Sequence, residues 1–204
     1  MAMHRKWLVM VFACAWLAAV VLGLRGLWGY ANRAGESGAA ANDWPATTTL
    51  VRGDKGATLV MFVHPMCPCS TASAGELARL LARCEQPIDV KVLAVEPPDA
   101  PKTWAQSSLV KTLREIPGVT VMEDQGGAEA RRFGARTSGH TMLFDARGRL
   151  LFSGGITAAR GHAGDSAGSE SIVALVNHDG NSQREADVFG CSLFGDTTMA
   201  QRTQ

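Results

Sequence analysis

The chain has 204 residues, is 46% hydrophobic and carries a formal net charge of +1. That length holds one ordinary domain plus a tail or an anchor. The balanced charge lacks the basic excess of a nucleic-acid binder, and the apolar content is too high for a disordered chain.

The chain starts with an apolar segment. His4, Arg5 and Lys6 precede the uncharged run "WLVMVFACAWLAAVVLGL", Trp7 to Leu24. That run is long enough to cross a bilayer core as a helix. Trp7, Trp28 and Tyr30 flank it, as interfacial aromatics do. A signal peptide is the rival reading. Its apolar core is usually shorter, "RGLWGYANR" is a poor cleavage site, and "AAA" at Ala39 to Ala41 is distant. The expectation is therefore an uncleaved, single-pass transmembrane anchor over 1–28. Arg5 and Lys6 place its tip in the cytoplasm, against the weaker pull of Arg25 and Arg33. The remainder is then expected in the periplasm, outside the bacterial inner membrane, where cysteines are free to form disulfides. Residues 29–46, "GYANRAGESGAAANDWPA", read as a linker. The folded domain with its C-terminal tail is expected over 47–195, and a disordered end over 196–204.

Within the domain, "ATLVMFV" (Ala57 to Val63) reads as a buried strand. In "STASAGELARLLARCE", Leu77, Leu80, Leu81 and Cys84 recur at helical spacing, with Ser70 or Thr71 as the cap. Ile88 to Glu96 is a second strand, and "PPDAPKTW" a loop. "SLVKTLREI" is a helix stopped by Pro117 and Gly118, "VTVMED" a short strand, and "GGAEARRFG" a short helix ended by Gly134. Thr141 to Phe144 and Leu150 to Phe152 form a hairpin turning around "ARG". "SESIVALVNH" is the last helix, with Asp165 as a candidate N-cap. Alternating strands and helices with a closing hairpin predict an α/β fold, a central mixed sheet with flanking helices.

The chemistry concentrates in "FVHPMCPCS", Phe62 to Ser70, where Cys67 and Cys69 sit one residue apart around Pro68. A thiolate at a helix N-terminus meets unpaired backbone N–H groups and the positive end of the helix dipole, so its pKa falls. Cys67 is placed for that, and His64 could add positive charge when protonated. A disulfide across so short a ring would be strained and therefore oxidising. Cys14 lies in the anchor, and Cys84 on an apolar helix face. Cys191 sits in the tail "DVFGCSLFG", whose apolar residues predict that it packs back onto the domain. It could staple to Cys84, or return to Cys67 and Cys69 as a resolving thiol or third metal ligand. His162 falls in a glycine-rich loop. No GxGxxG motif or phosphate-binding loop is present, so no nucleotide, flavin or haem is called for.

An apolar strand running into a cysteine turn that opens a helix resembles the thioredoxin superfamily. "HPMCPCS", "TSGHTMLFDARGRLLFSGGIT" and "RGHAGDSAG" together resemble RedB-type proteins, a membrane-anchored bacterial group of that superfamily. The resemblance covers about 50 to 195. It implies a thioredoxin-like fold, with Cys67 as nucleophile, Pro68 as motif proline and Cys69 as second cysteine. The buried acid of many thioredoxins falls near Met61 here, and His140 matches their cis-proline. "SGHTMLFDARGRLLF" is similar to the histidine segment of copper-delivery proteins of cytochrome oxidase assembly, which share the fold. That likeness implies Cu(I) held by Cys67, Cys69 and His140, soft thiolates and an imidazole. Two functions follow as expectations. The leading one is a periplasmic thiol–disulfide oxidoreductase, needing no cofactor, with protein thiols and disulfides as substrates and a membrane reductant as partner. Cys67 attacks, Cys69 or Cys191 resolves, and His64, Pro68 and His140 line the site. The alternative is a Cu(I) chaperone serving a copper enzyme. A thiol peroxidase ranks lower, because the Thr-x-x-Cys motif of such enzymes is replaced by His64 three residues before Cys67.

Overall fold

The computed structural model describes residues 2–36, 38–53, 56–97, 104–179 and 182–194. The chain divides into two compact units, Met1–Arg33 and Ala34–Gln204. The first unit is one helix, α1 (Ala2–Ala31). Its Met3–Ala31 stretch is long and apolar enough to cross a membrane. It runs past the expected end at residue 28, because "GYA" offers no helix stop before Asn32, whose side chain and N–H both bond the Trp28 carbonyl.

The second unit is built on five strands: β1 (Ala57–Val63), β2 (Ile88–Glu96), β3 (Val119–Gln125), β4 (His140–Phe144) and β5 (Leu150–Gly154). Their order is β3-β2-β1-β4-β5. β1, β2 and β3 run parallel, whereas β4 is antiparallel to β1 and β5 to β4. Helices α2 (Cys69–Arg83), α3 (Ser108–Glu115), α4 (Ala128–Phe133) and α5 (Ala167–Asn177) cover the sheet. This is the thioredoxin-like arrangement, a mixed sheet with helices on both faces.

The pleat explains the two cores. Leu59, Met61 and Val63 of β1 point to one face and meet Leu77 and Leu80 of α2, Leu113 of α3 and Ile172 of α5. Val60 and Phe62 point to the other and meet Ala130 and Phe133 of α4, with Met142 and Phe144 of β4. β1 is central and buried on both faces, so it reads as a continuous apolar run.

Three expectations change. The helix after the cysteines starts at Cys69, with Pro68 in the cap position at φ −64° and no side-chain cap; proline's fixed φ does the work given to Ser70 or Thr71. Ser166, not Asp165, caps α5, its side chain accepting from the Ser169 N–H. The expected linker, 29–46, is helix up to Ala31, and from Ala34 onward it belongs to the domain. The Trp44 N–H donates to the Gly148 carbonyl at 2.7 Å, and Asn42 accepts from the Leu150 N–H at 2.8 Å. The Trp44 indole packs edge-on to Phe133 and Phe144. Without it, the sheet face that carries Phe62 would expose its aromatic cluster to water. Most of the "PPDAPKTW" loop and the expected disordered end lie outside the described residues.

Candidate functional site

β1 ends at Val63, and the chain turns through His64–Pro65–Met66 before α2. The turn closes with the Cys67 N–H on the His64 carbonyl at 2.9 Å, and the Ser70 N–H on the Cys67 carbonyl at 3.1 Å. Cys67 therefore stands at the open N-terminus of α2, 3% exposed.

A sulfur partner for it comes from far along the chain. Cys67 Sγ and Cys191 Sγ lie 3.0 Å apart, and both residues are free thiols. The tail reaches them by pairing with the loop before β4. The Ser138 N–H donates to the Cys191 carbonyl at 2.8 Å, and the Leu193 N–H to the Arg136 carbonyl at 2.8 Å. Thr137 and Ser192 form an antiparallel bridge between these bonds. Gly190 passes so close to the Ser138 carbonyl that a Cβ there would lie 1.9 Å from its oxygen. Of the two partners left open for Cys191, the structure places it beside Cys67. Cys84 instead donates to the Leu80 carbonyl.

Serine hydroxyls complete the surroundings. Ser138 Oγ accepts from the His64 N–H at 2.7 Å and lies 2.6 Å from Ser70 Oγ. With the Ser138 hydroxyl donating to Ser70, the Ser70 hydroxyl is left to donate to Cys67. Burial works against a thiolate at Cys67. Hydrogen bonds from the Cys191 thiol, the Ser70 hydroxyl and the N–H groups of Cys191 and Ser70 outweigh it, and bring Cys67 down to about 7. Cys191 moves the other way. Burial, the hydrogen bond it gives to Cys67 and the charge of Cys67 push it up to about 12, with Arg160 opposing. Cys69 is half-buried and also raised, first by burial and then by the charge of Cys67. Of the three thiols, Cys67 is thus the one that ionises near neutral pH, about half of it at pH 7.

This sets an expected result. Iodoacetamide modification of Cys67 in the full chain should rise with a midpoint near pH 7, because the thiolate forms above that pH. Cys191→Ala should move the midpoint upward by removing a donor. A wild-type midpoint at the ordinary value of about 8.5 would refute the arrangement.

The two histidines do not act as expected. His64 is held low by burial, its Nδ1 accepts from the Met66 N–H, and its ring packs edge-on to Trp104, all of which disfavour the expected cation. His140 is 2% exposed and pairs with Phe62 across β1 and β4. Cross-strand partners share a face, so its ring lies on the side of the sheet away from α2. Its Nε2 meets Ser153 Oγ at 2.8 Å, and burial pushes its pKa down to about 4. Among the described residues, no three His, Cys, Asp or Glu side chains are disposed to hold a metal ion. Cys67, Cys69 and His140 therefore do not fit as a copper site.

A groove of about 380 Å³ opens beside Cys67, lined by Pro65, Met66, Pro68, Trp104 and Leu109. It gives the buried sulfur a route to solvent. Sequence pattern alone does not point to Ser138 or Arg160. Ser138 directly precedes the Gly139–His140 pair, and the "RGHAGD" segment carries Arg160, but neither position announces where its side chain will point.

No family model matches the chain, and no curated protein matches it. Solved structures do. A hypothetical protein from Sinorhizobium meliloti 1021 is 19% identical, with a TM-score of 0.55, over 79% of this chain and 93% of that one. An uncharacterized conserved protein from Geobacillus kaustophilus is 16% identical, with a TM-score of 0.54, over 81% of this chain and 94% of that one. Both likenesses concern the fold alone. A secreted Mycobacterium tuberculosis disulfide oxidoreductase homologous to E. coli DsbE is 16% identical over 60% of this chain and 81% of that one. Its TM-score of 0.43 is too loose a superposition to bear on function.

Proposed function

We propose that this protein is a membrane-tethered thiol–disulfide oxidoreductase, working on the outer side of the bacterial inner membrane, with Cys67 as nucleophile and Cys191 as resolving thiol. The carrying observation is the 3.0 Å approach of Cys191 Sγ to the Cys67 sulfur, which ionises near neutral pH.

The Cys67 thiolate attacks one sulfur of a substrate disulfide. A Cys67–substrate bond forms, the substrate S–S bond breaks, and the leaving sulfur takes up a proton. Cys67 is then neutral. Burial still holds Cys191 high, but the hydrogen bond and charge of Cys67 that added to it are gone, so Cys191 deprotonates more readily. It attacks Cys67 Sγ, expels the second substrate thiol and closes Cys67–Cys191. The substrate gains two electrons and two protons; the protein gives up both electrons and the Cys191 proton, and the other proton comes from the solvent that took it when Cys67 ionised. A dithiol partner, such as a membrane reductant, restores the reduced pair. The same steps in reverse oxidise a substrate dithiol. Cys69 is the third thiol of the group, not the first partner of Cys67. The Cu(I) alternative loses its imidazole, because His140 faces the other side of the sheet.

The test is trapping in the full chain, held in mild detergent and treated with glutathione disulfide. Cys191→Ser should hold glutathione on Cys67, whereas Cys69→Ser should release it as wild type does. Trapping by Cys69→Ser alone would transfer the resolving role to Cys69. No adduct on Cys67 in either variant would sink the oxidoreductase reading.

A further inference from the structure

The exchange centre depends on a tail segment being held in place, and one cation stands where it can do so. Arg160 lies in the turn region between β5 and α5. Its Nη1 donates to the Gly190 carbonyl, one residue before Cys191. On its other side Gly190 lies flush against the Ser138 carbonyl, where only a glycine fits. The Cys191 carbonyl accepts from the Ser138 N–H. The peptide that presents Cys191 is thus gripped between the loop before β4 and the Arg160 guanidinium.

We propose that Arg160 is a positioning residue of the exchange centre, holding the tail so that Cys191, and not Cys69, closes the disulfide with Cys67. The inference rests on the oxidoreductase reading above. Cys67 has two candidate partners. Cys69 is one residue away across Pro68 and is present however the tail lies. Cys191 is separated by 124 positions and is present only while the tail is docked. Closing so long a loop costs entropy, which the docking contacts must overcome. A guanidinium holds a carbonyl from a fixed planar fork, so it restricts direction as well as distance. The same cation favours the thiolate forms of Cys191 and Cys69, which suits the step in which Cys191 must attack.

The experiment uses the full chain in detergent, with Arg160→Met, Arg160→Gln and Arg160→Lys beside wild type. Each is oxidised with diamide, which takes two electrons and two protons from a dithiol, and the disulfides are mapped by peptide mass spectrometry. Attack on glutathione disulfide and release from the mixed disulfide are timed separately. Wild type should give mainly Cys67–Cys191. Arg160→Met should shift the ratio of Cys67–Cys191 to Cys67–Cys69 at least tenfold toward the latter and slow release by a similar factor. Attack should fall by no more than about threefold, because undocking Cys191 removes one set of donors to Cys67 while those of Ser70 remain. Arg160→Lys, which keeps the charge and a donor, should recover most of both losses. Arg160→Gln stands in if the Met variant does not fold, with at least a threefold slowing expected. Wild-type partition and release in whichever of these two variants folds would overturn the role of Arg160 while leaving Cys67–Cys191 chemistry intact. A wild type that forms Cys67–Cys69 instead would overturn the resolving assignment itself.

Discussion

Replacing Cys67 with serine should lower disulfide exchange about a thousandfold or more, the largest catalytic loss of any single substitution in the chain. A serine hydroxyl is not ionised at neutral pH, and among the described residues neither histidine is placed to activate it. His64 points its Nδ1 at the Met66 N–H, and His140 lies on the opposite face. The magnitude is not a matter of pKa alone. Lowering a thiol from about 8.5 to about 7 raises its ionised share at pH 7 from about 3% to about half. The weaker nucleophilicity of the more acidic thiolate gives back about fivefold of that, leaving a net gain of about threefold. Placing Cys191 against Cys67 is the larger contribution, because an oriented neighbour acts at an effective concentration no free thiol reaches. Three variants should therefore rank clearly in turnover with a peptide disulfide: Cys67→Ser inactive, Cys191→Ser stalled after one attack, and Cys69→Ser close to wild type. Equal activity in Cys67→Ser and wild type would remove Cys67 from the mechanism.

The local part of this centre is legible in the sequence. An apolar strand, a His-Pro turn and two cysteines at a helix start are neighbours in the chain, and short-range sterics decide their geometry. The parallel strands and the closing hairpin follow from alternation and turn residues in the same way. What escapes is long-range. Likeness to the proline position puts His140 beside the thiols, but successive residues of a strand point to opposite faces. A one-residue choice of register decides the matter, and the sequence around "SGHT" does not make it. The residue that does reach the thiol site from that loop is Ser138. Cys191 was recognised as a tail cysteine with apolar neighbours, yet its partner depended on a bridge between Thr137 and Ser192 that leaves no periodic mark. The segment after residue 34 looked like a linker because it is small and polar. Its one large apolar contribution, Trp44, decides its fate by covering Phe133 and Phe144.

That aromatic cluster carries the largest expected loss of stability, and its loss should reach the thiols. Phe133 ends α4 and is fully buried, with Trp44 edge-on at 5.1 Å between ring centroids, Phe62 tilted at 5.5 Å and Phe144 edge-on at 5.8 Å. Truncation to alanine removes a ring from a site that three other rings cannot close, which costs about 3–5 kcal/mol. For a domain of this size, that is a fall of roughly 6–20 °C in melting temperature, read by near-UV circular dichroism of the full chain in detergent. Met66→Ala, at a side chain 60% exposed, should change it little. The second consequence follows from chain order. Gly134 caps α4 with a left-handed φ of 75°, and the Ala135 N–H returns to the Ala130 carbonyl at 2.8 Å. Arg136, Thr137 and Ser138 come next and hold the tail. Loosening Phe133 loosens the base on which Cys191 is docked, while α2 and Cys67 stay anchored in the other core through Leu77 and Leu80. Below its melting temperature, Phe133→Ala should therefore keep attack by Cys67 within about threefold, the share owed to its lowered pKa, and lose more speed in resolution by Cys191. A variant that melts within 1 °C of wild type, or that slows both steps equally, would separate the aromatic cluster from the exchange centre.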